Sequence, residues 1–283
     1  MQKAPQTKAP TLRHTWLSRY IEEGKRYQGP AWLRYGVLGA WLVMTLLNVF
    51  SFALLPMTVQ QVSQLRTPLY LDPAPYAFSI WGLLFAALGA YAVYQWLPFH
   101  PRGALLAETR VPMLVSFVCG ILWPVAVGFV QMPLALLLIV GMLASAAVAY
   151  QRFKPEAAHG MPQRLCVSWP LGLYLGWLSL ATVVSLAGVL TDDLGLRSVL
   201  LSSVAWSAIA ILGLGGLGAV LGYRKRDWAF NAALGWGLIA IAGEQRTPPI
   251  GWAVVFAIAL MAFGLIAGSR RRTPPRSMRD RLA

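Results

Sequence analysis

The chain has 283 residues, 57% of them hydrophobic and 12% charged, with 24 Lys+Arg against 10 Asp+Glu and a formal net charge of +14. A soluble domain carries about 25% charged residues, so a water-soluble globular fold is excluded. A nucleic-acid surface is also disfavoured, because it would gather the positive charge on one face with aromatic residues or a recognisable motif.

Residues 1–35 form a basic arm with no apolar core, so no signal peptide is expected there. Within it Trp16, Leu17, Tyr20 and Ile21 have helical spacing, so Thr15–Lys25 reads either as a short interfacial helix or as a solvated arm. Apolar runs follow, and a run of ~20 such residues crosses the hydrocarbon as a helix. Eight are marked: Gly36–Leu55, Tyr76–Trp96, Val111–Val130, Pro133–Tyr150, Trp169–Leu190, Val199–Gly222, Trp228–Ala242 and Ile250–Gly268. The expected fold is an all-α integral membrane protein of about eight transmembrane helices. Residues 269–283, with Pro274–Pro275 and repeated Arg, read as a disordered basic tail. Cys119 and Cys166 fall in different segments and imply no disulfide.

The basic residues alternate from loop to loop. Twenty-one lie in the arm, the tail and the loops after spans 2, 4 and 6, whereas only Arg66, Arg197 and Arg246 lie on the other face. Lys and Arg favour the cytoplasmic side, so both termini are expected there, in a bacterial inner membrane. Attraction to anionic lipid heads adds to this bias. Span 7 is the shortest, but deleting it would place the six-Arg tail outside, against the charge rule.

No Asp, Glu, Lys, Arg or His lies well inside any of the eight windows. Proton and ion relays generally use such groups, so an ion-coupled pump is not expected. Small residues four apart let helices approach closely. Such pairs are Gly82, Ala86 and Ala90 on span 2, Gly141 and Ser145 on span 4, Gly218 and Gly222 on span 6, and Gly264 and Gly268 on span 8. Six of the 12 Trp, Trp16, Trp32, Trp96, Trp169, Trp228 and Trp252, sit near span ends, where indoles favour the interface. Trp81, Trp123, Trp177 and Trp206 lie deeper. A deep indole must find a partner for its N–H or face a cavity, so these residues either pack between helices or line a pocket for a flat apolar ligand.

Three segments carry a more specific pattern. They are Pro73-Ala-Pro75-Tyr76 with Phe78, Trp81, Gly82, Leu84, Phe85, Gly89 and Trp96; Gly120-Ile-Leu-Trp123-Pro124; and Tyr174-Leu175-Gly-Trp177 with Ala181. Together they resemble helices 2, 3 and 5 of the TspO/MBR family, the tryptophan-rich sensory proteins related to the peripheral benzodiazepine receptor. The resemblance covers roughly residues 36–190, as a five-helix core. Residues 191–268, holding three further helices, have no counterpart in the five-helix family. Leu173, Gly120 and Ser185 stand where the family has Pro, Asn and Asn.

The resemblance implies a pocket for porphyrins, sterols or similar molecules beneath the loop Pro56–Pro75. It would be lined by Trp81, Phe85, Trp123, Pro124, Tyr174, Trp177 and Ala181. Trp177 matches a pocket residue implicated in porphyrin photodegradation. The leading expectation is a membrane receptor or regulator that binds a flat hydrophobic ligand, a tetrapyrrole or a sterol-like molecule. It needs no cofactor, no metal and no catalytic residue. The alternative is a transporter of a small apolar metabolite. An enzyme is not expected: no nucleophile–base pair stands out, His14, His100 and His159 lie in polar segments, and Asp192-Asp193 reads as a helix cap. The expected partners are the bilayer and an apolar small molecule, with a homodimer left open and nucleic acid excluded.

One outcome tests the topology. A reporter fused to the C-terminus should read out on the cytoplasmic side; an exoplasmic signal would mean an odd number of spans or a reversed chain.

Overall fold

Hydrocarbon offers no water to a backbone N–H or C=O, so a spanning segment bonds to itself as a helix. The computed structural model describes residues 30–96, 103–153, 160–196 and 201–270, and among these residues there are helices and no strands. The arm helix expected at Thr15–Lys25, the tail beyond Arg270, and His14, His100 and His159 lie outside the described residues.

Eight long helices match the eight apolar runs. They are α1 (Ala31–Val49), α2 (Ile80–Tyr94), α3 (Gly103–Gly128), α4 (Met132–Phe153), α5 (Trp169–Gly188), α6 (Ser203–Lys225), α7 (Trp228–Glu244) and α8 (Pro248–Arg270). A 3-10 turn, Pro75–Ser79, leads into α2, and π-helical turns flank α5 at Arg164–Ser168 and Val189–Asp193. Among the described residues, seven segments are long and apolar enough to cross a membrane. α7 is the exception, with 17 residues; at ~1.5 Å per residue that is about 25 Å, near the lower limit of a span.

The first five helices close a ring: α1 packs on α2 and α3, α3 on α4, α4 on α5, and α5 on α2. α7 packs on another side of α5, and α6 and α8 pair with each other and touch α7. The small residues of α6 and α8 serve that pairing. A Cβ on Gly264 would meet the Ala219 backbone, so no side chain fits between the two helices there. α5 and α7 touch as closely, with Gly176 against the Phe230 carbonyl. Asp227 strengthens the joint between ring and addition. It caps α7 by accepting from the Phe230 N–H at 2.9 Å, and it accepts from the Tyr150 hydroxyl of α4 at 2.5 Å. The small face of α2 behaves otherwise: Gly82, Ala86 and Ala90 are exposed, and nothing lies within 4 Å of a Cβ built on Gly82. That face meets no other helix among the described residues.

α3 starts well before the expected Val111, so Pro112 lies in its interior as Pro124 does. Each lacks an N–H and frees the carbonyl four residues back. Arg152 donates to the freed Glu108 carbonyl at 3.2 Å, and Asn48 of α1 reaches the freed Gly120 carbonyl at 3.5 Å. The longer helix also takes in Arg110, which corrects its placement in a loop. Arg110 is 1% exposed, and its Nε donates to Gln95 Oε1 at 2.8 Å. Beside it the Tyr91 and Thr109 hydroxyls lie 2.6 Å apart. Hydropathy misses this cluster, because Arg110 and Thr109 bond to Gln95 and Tyr91 rather than to water. Cys119 and Cys166 are both free thiols.

Gly264→Ala should destabilise the fold by about 1–3 kcal/mol, the range for overpacking a filled contact. Gly213→Ala, where nothing lies within 4 Å of the added carbon, should be neutral or slightly stabilising. Unfolding of both variants in mixed micelles gives the comparison.

Candidate functional site

The ring holds a partly open cavity at the end where α1 joins α2, with about 130 Å³ of internal space. α2 contributes Trp81, α3 contributes Trp123 and Val127, and α4 contributes Met132 and Ile139. The wall from α5 consists of Trp177, Leu180, Ala181, Val184, Ser185 and Gly188, successive turns of one helix face. The cover is the α1–α2 connection, through Val59, Val62, Arg66, Leu69, Asp72 and Phe78 among others. Part of that connection is itself a helix, Val59–Leu65, opened by a reciprocal cap between Thr58 and Gln61.

The aromatic residues form one group. The Trp81 ring lies 6.2 Å from Trp123 at 30° and 6.4 Å from Trp177 at 84°. Phe78 stands edge-on to Trp177 at 6.4 Å. These separations fall in the favourable range for ring pairs. The indole N–H groups of Trp123 and Trp177 are both buried and have no acceptor. A buried donor without a partner costs roughly 1–3 kcal/mol, and here both belong to residues that line the same cavity.

Four of the residues expected at a pocket line this cavity: Trp81, Trp123, Trp177 and Ala181. Three do not. Phe85 stacks behind Trp81 at 5.4 Å, and its carbonyl accepts from the Trp41 indole at 2.9 Å. Pro124 is buried in α3 one residue past Trp123, turned about 100° further round the helix. Tyr174 is fully buried, its hydroxyl 3.1 Å from that of Ser116 on α3. It joins α5 to α3 and stays off the cavity wall. Trp206, grouped with the deep indoles, is 47% exposed on α6 and is not part of the wall.

Polar groups gather at the mouth. Arg66 Nε lies 3.1 Å from Asp192 Oδ2, Arg66 Nη2 lies 2.7 Å from Asp193 Oδ2, and Nη2 also donates to the Gly188 carbonyl at 2.9 Å. Asp192 and Asp193 therefore tie the end of α5 to the cover, and do not cap the next helix as expected. The π turn Val189–Asp193 widens the helix where this pairing occurs. No signal in the sequence linked Arg66 to a pair 126 residues away. Asp72 accepts from the Leu69 N–H at 2.7 Å. Burial pushes its carboxyl above the usual carboxylate range; that hydrogen bond pulls it down, nearby Asp192 and Glu244 raise it, and Arg66 lowers it. Among the described residues no group of three or more His, Cys, Asp or Glu is placed to hold a metal ion.

A raised carboxyl pKa means that the folded chain favours the protonated form. The associated stability is complete below the reference value of 3.8 and is lost as pH rises through the folded value. Asp72→Asn keeps an acceptor for Leu69 and removes the buried charge. At pH 7 this variant should melt above the wild type, and the gap should close as the pH approaches 4. A gap independent of pH would show that the charge of Asp72 is not the cause.

Comparison with curated proteins and with solved structures finds no similar protein. A family model described as TSPO-like protein matches residues 32–267. That match begins in α1 and ends in α8, so it also takes in the three helices beyond the ring. On this match the chain belongs to the TSPO-like protein family.

Proposed function

We propose that the chain is a membrane receptor or regulator that holds a flat hydrophobic ligand, of tetrapyrrole or sterol-like shape, in the tryptophan-lined cavity. The observation that carries this reading is the convergence of Trp81, Trp123 and Trp177, with two indole N–H groups that lack an acceptor. A ligand with apolar faces and a carbonyl, carboxylate or ring-nitrogen acceptor at one edge would supply what those donors lack once the indole rings turn toward it, since both nitrogens are buried while the cover is closed. Pockets of this kind combine apolar walls with a few well-placed polar groups. The role needs no general acid or base.

Size refines the proposal. A dry cavity of roughly 150 Å³ holds a molecule such as benzene. The space here, about 130 Å³, admits a single ring while the cover is closed. A tetrapyrrole or a sterol needs the cover displaced, and the only charged pairing at the mouth among the described residues is that of Arg66 with Asp192 and Asp193.

Purified protein in detergent, titrated with protoporphyrin, haem and a sterol, should show quenching of Trp fluorescence by at least one of them. Trp177→Phe keeps an apolar ring and loses the indole N–H. Ring pairing is worth ~0.5–1.5 kcal/mol, so affinity should fall by up to roughly tenfold, while Trp252→Phe, at an exposed position on α8, should change nothing. Equal affinity for all three proteins would reduce Trp177 to a packing residue.

A further inference from the structure

α7 lies outside the five-helix ring and contributes nothing to the cavity wall. Yet its last turns hold the cover. Gln245, just past the end of α7, donates through Nε2 to the Leu69 carbonyl at 3.0 Å and to the Asp72 carbonyl at 3.3 Å. The Ala240 carbonyl accepts from the Ala74 N–H at 3.1 Å. Trp236 Nε1 donates to the Ala77 carbonyl at 3.1 Å, and its ring meets Tyr76 edge-on at 5.4 Å and 77°. Of the residues held in this way, Leu69 and Asp72 line the cavity, and Ala77 precedes Phe78, which does.

Residues 66–74 have no helix or strand, so their backbone groups need partners from elsewhere. Arg66 supplies contacts on the α5 side; α7 supplies those on the other side. The α7 contacts span four positions of the cover, from Leu69 to Ala77, whereas the α5 contacts fall at its first residues. The cover is thus fixed along its length by α7 and latched at one end by a charged group.

We propose that α7 is the anchor of the cavity cover, with Gln245 and Trp236 as positioning residues for the ligand site they do not touch. This rests on the ligand reading above. It assigns a task to the helices beyond the ring: α6 and α8 support α7, and α7 sets how readily the cover leaves the cavity. Release of the Arg66 end, with the α7 end kept, is the motion that admits a ligand larger than one ring.

The test uses the full chain in lipid nanodiscs. Gln245→Ala should raise amide hydrogen exchange at Asp72 and Ala74 by roughly five- to tenfold, the loss expected when about one net hydrogen bond disappears. Exchange in α3 and α4 should stay at the wild-type level. Protoporphyrin dissociation, followed by Trp fluorescence, should quicken by a similar factor. Gln245→Lys keeps a donor of comparable reach and should restore both values. If Gln245→Ala fails to fold, Trp236→Phe carries the same test, since it keeps a ring against Tyr76 and loses only the indole donor. Unchanged exchange in residues 66–79, or an equal rise in all eight helices, would overturn the anchor. If the wild type binds none of protoporphyrin, haem and the sterol, the ligand reading falls, and the exchange measurement alone decides whether α7 holds the cover.

Discussion

Every backbone group that a helix leaves unpaired must find its partner inside the chain, because the hydrocarbon supplies none. Much of this architecture follows from where such groups arise. Pro112 and Pro124 free two carbonyls in α3, and a side chain from α4 and one from α1 answer them. The helix thereby keeps both prolines and gains links to both neighbours. The same demand governs the connection over the cavity, whose carbonyls are met by Gln245 and Trp236 from a helix more than 150 residues later. Irregular backbone is tolerated near a membrane only where protein covers it, and here α7 provides the covering.

The spans were legible because hydropathy measures the one property that the bilayer selects. Their ends were less so. α3 begins at Gly103, since Thr109 and Arg110 are polar in composition but satisfied by Tyr91 and Gln95 in the fold. A hydropathy window registers what a residue is, not what it bonds to. The small residues show the same limit. Gly264 and Gly82 sit in similar patterns, yet one meets a neighbouring backbone and the other faces outward. Spacing says that a close approach is permitted; only packing says whether a partner occupies it.

For the candidate site, the residues that entered through family motifs divide mainly by depth along the helix, since residues three or four apart share a face. Trp177 and Ala181 are four apart and share the cavity face of α5, while Tyr174 lies three residues before Trp177 and turns its hydroxyl to Ser116. A motif records residues that matter together without saying which of them share a surface. The mouth was beyond reach for another reason. Arg66, Asp192 and Asp193 are each ordinary loop residues in the sequence, and their pairing depends on the π turn that brings the end of α5 to the cover.

α5 is where these constraints meet. From Leu171 to Leu180 only Leu173 is more than sparingly exposed, because α2, α4 and α7 surround this stretch. A helix buried on all sides carries no apolar stripe, which is why periodicity could not assign its faces. One face forms the cavity wall, and the neighbouring face, at Gly176, takes the α7 backbone. Leu180 belongs to both, since it lines the cavity and also packs on Gly237 of α7. The added helices therefore reach the cavity by two routes, through the wall at Leu180 and through the cover at Gln245. A displacement of α7 would be felt at both, so the ring and the helices beyond it act on the site as one packed unit.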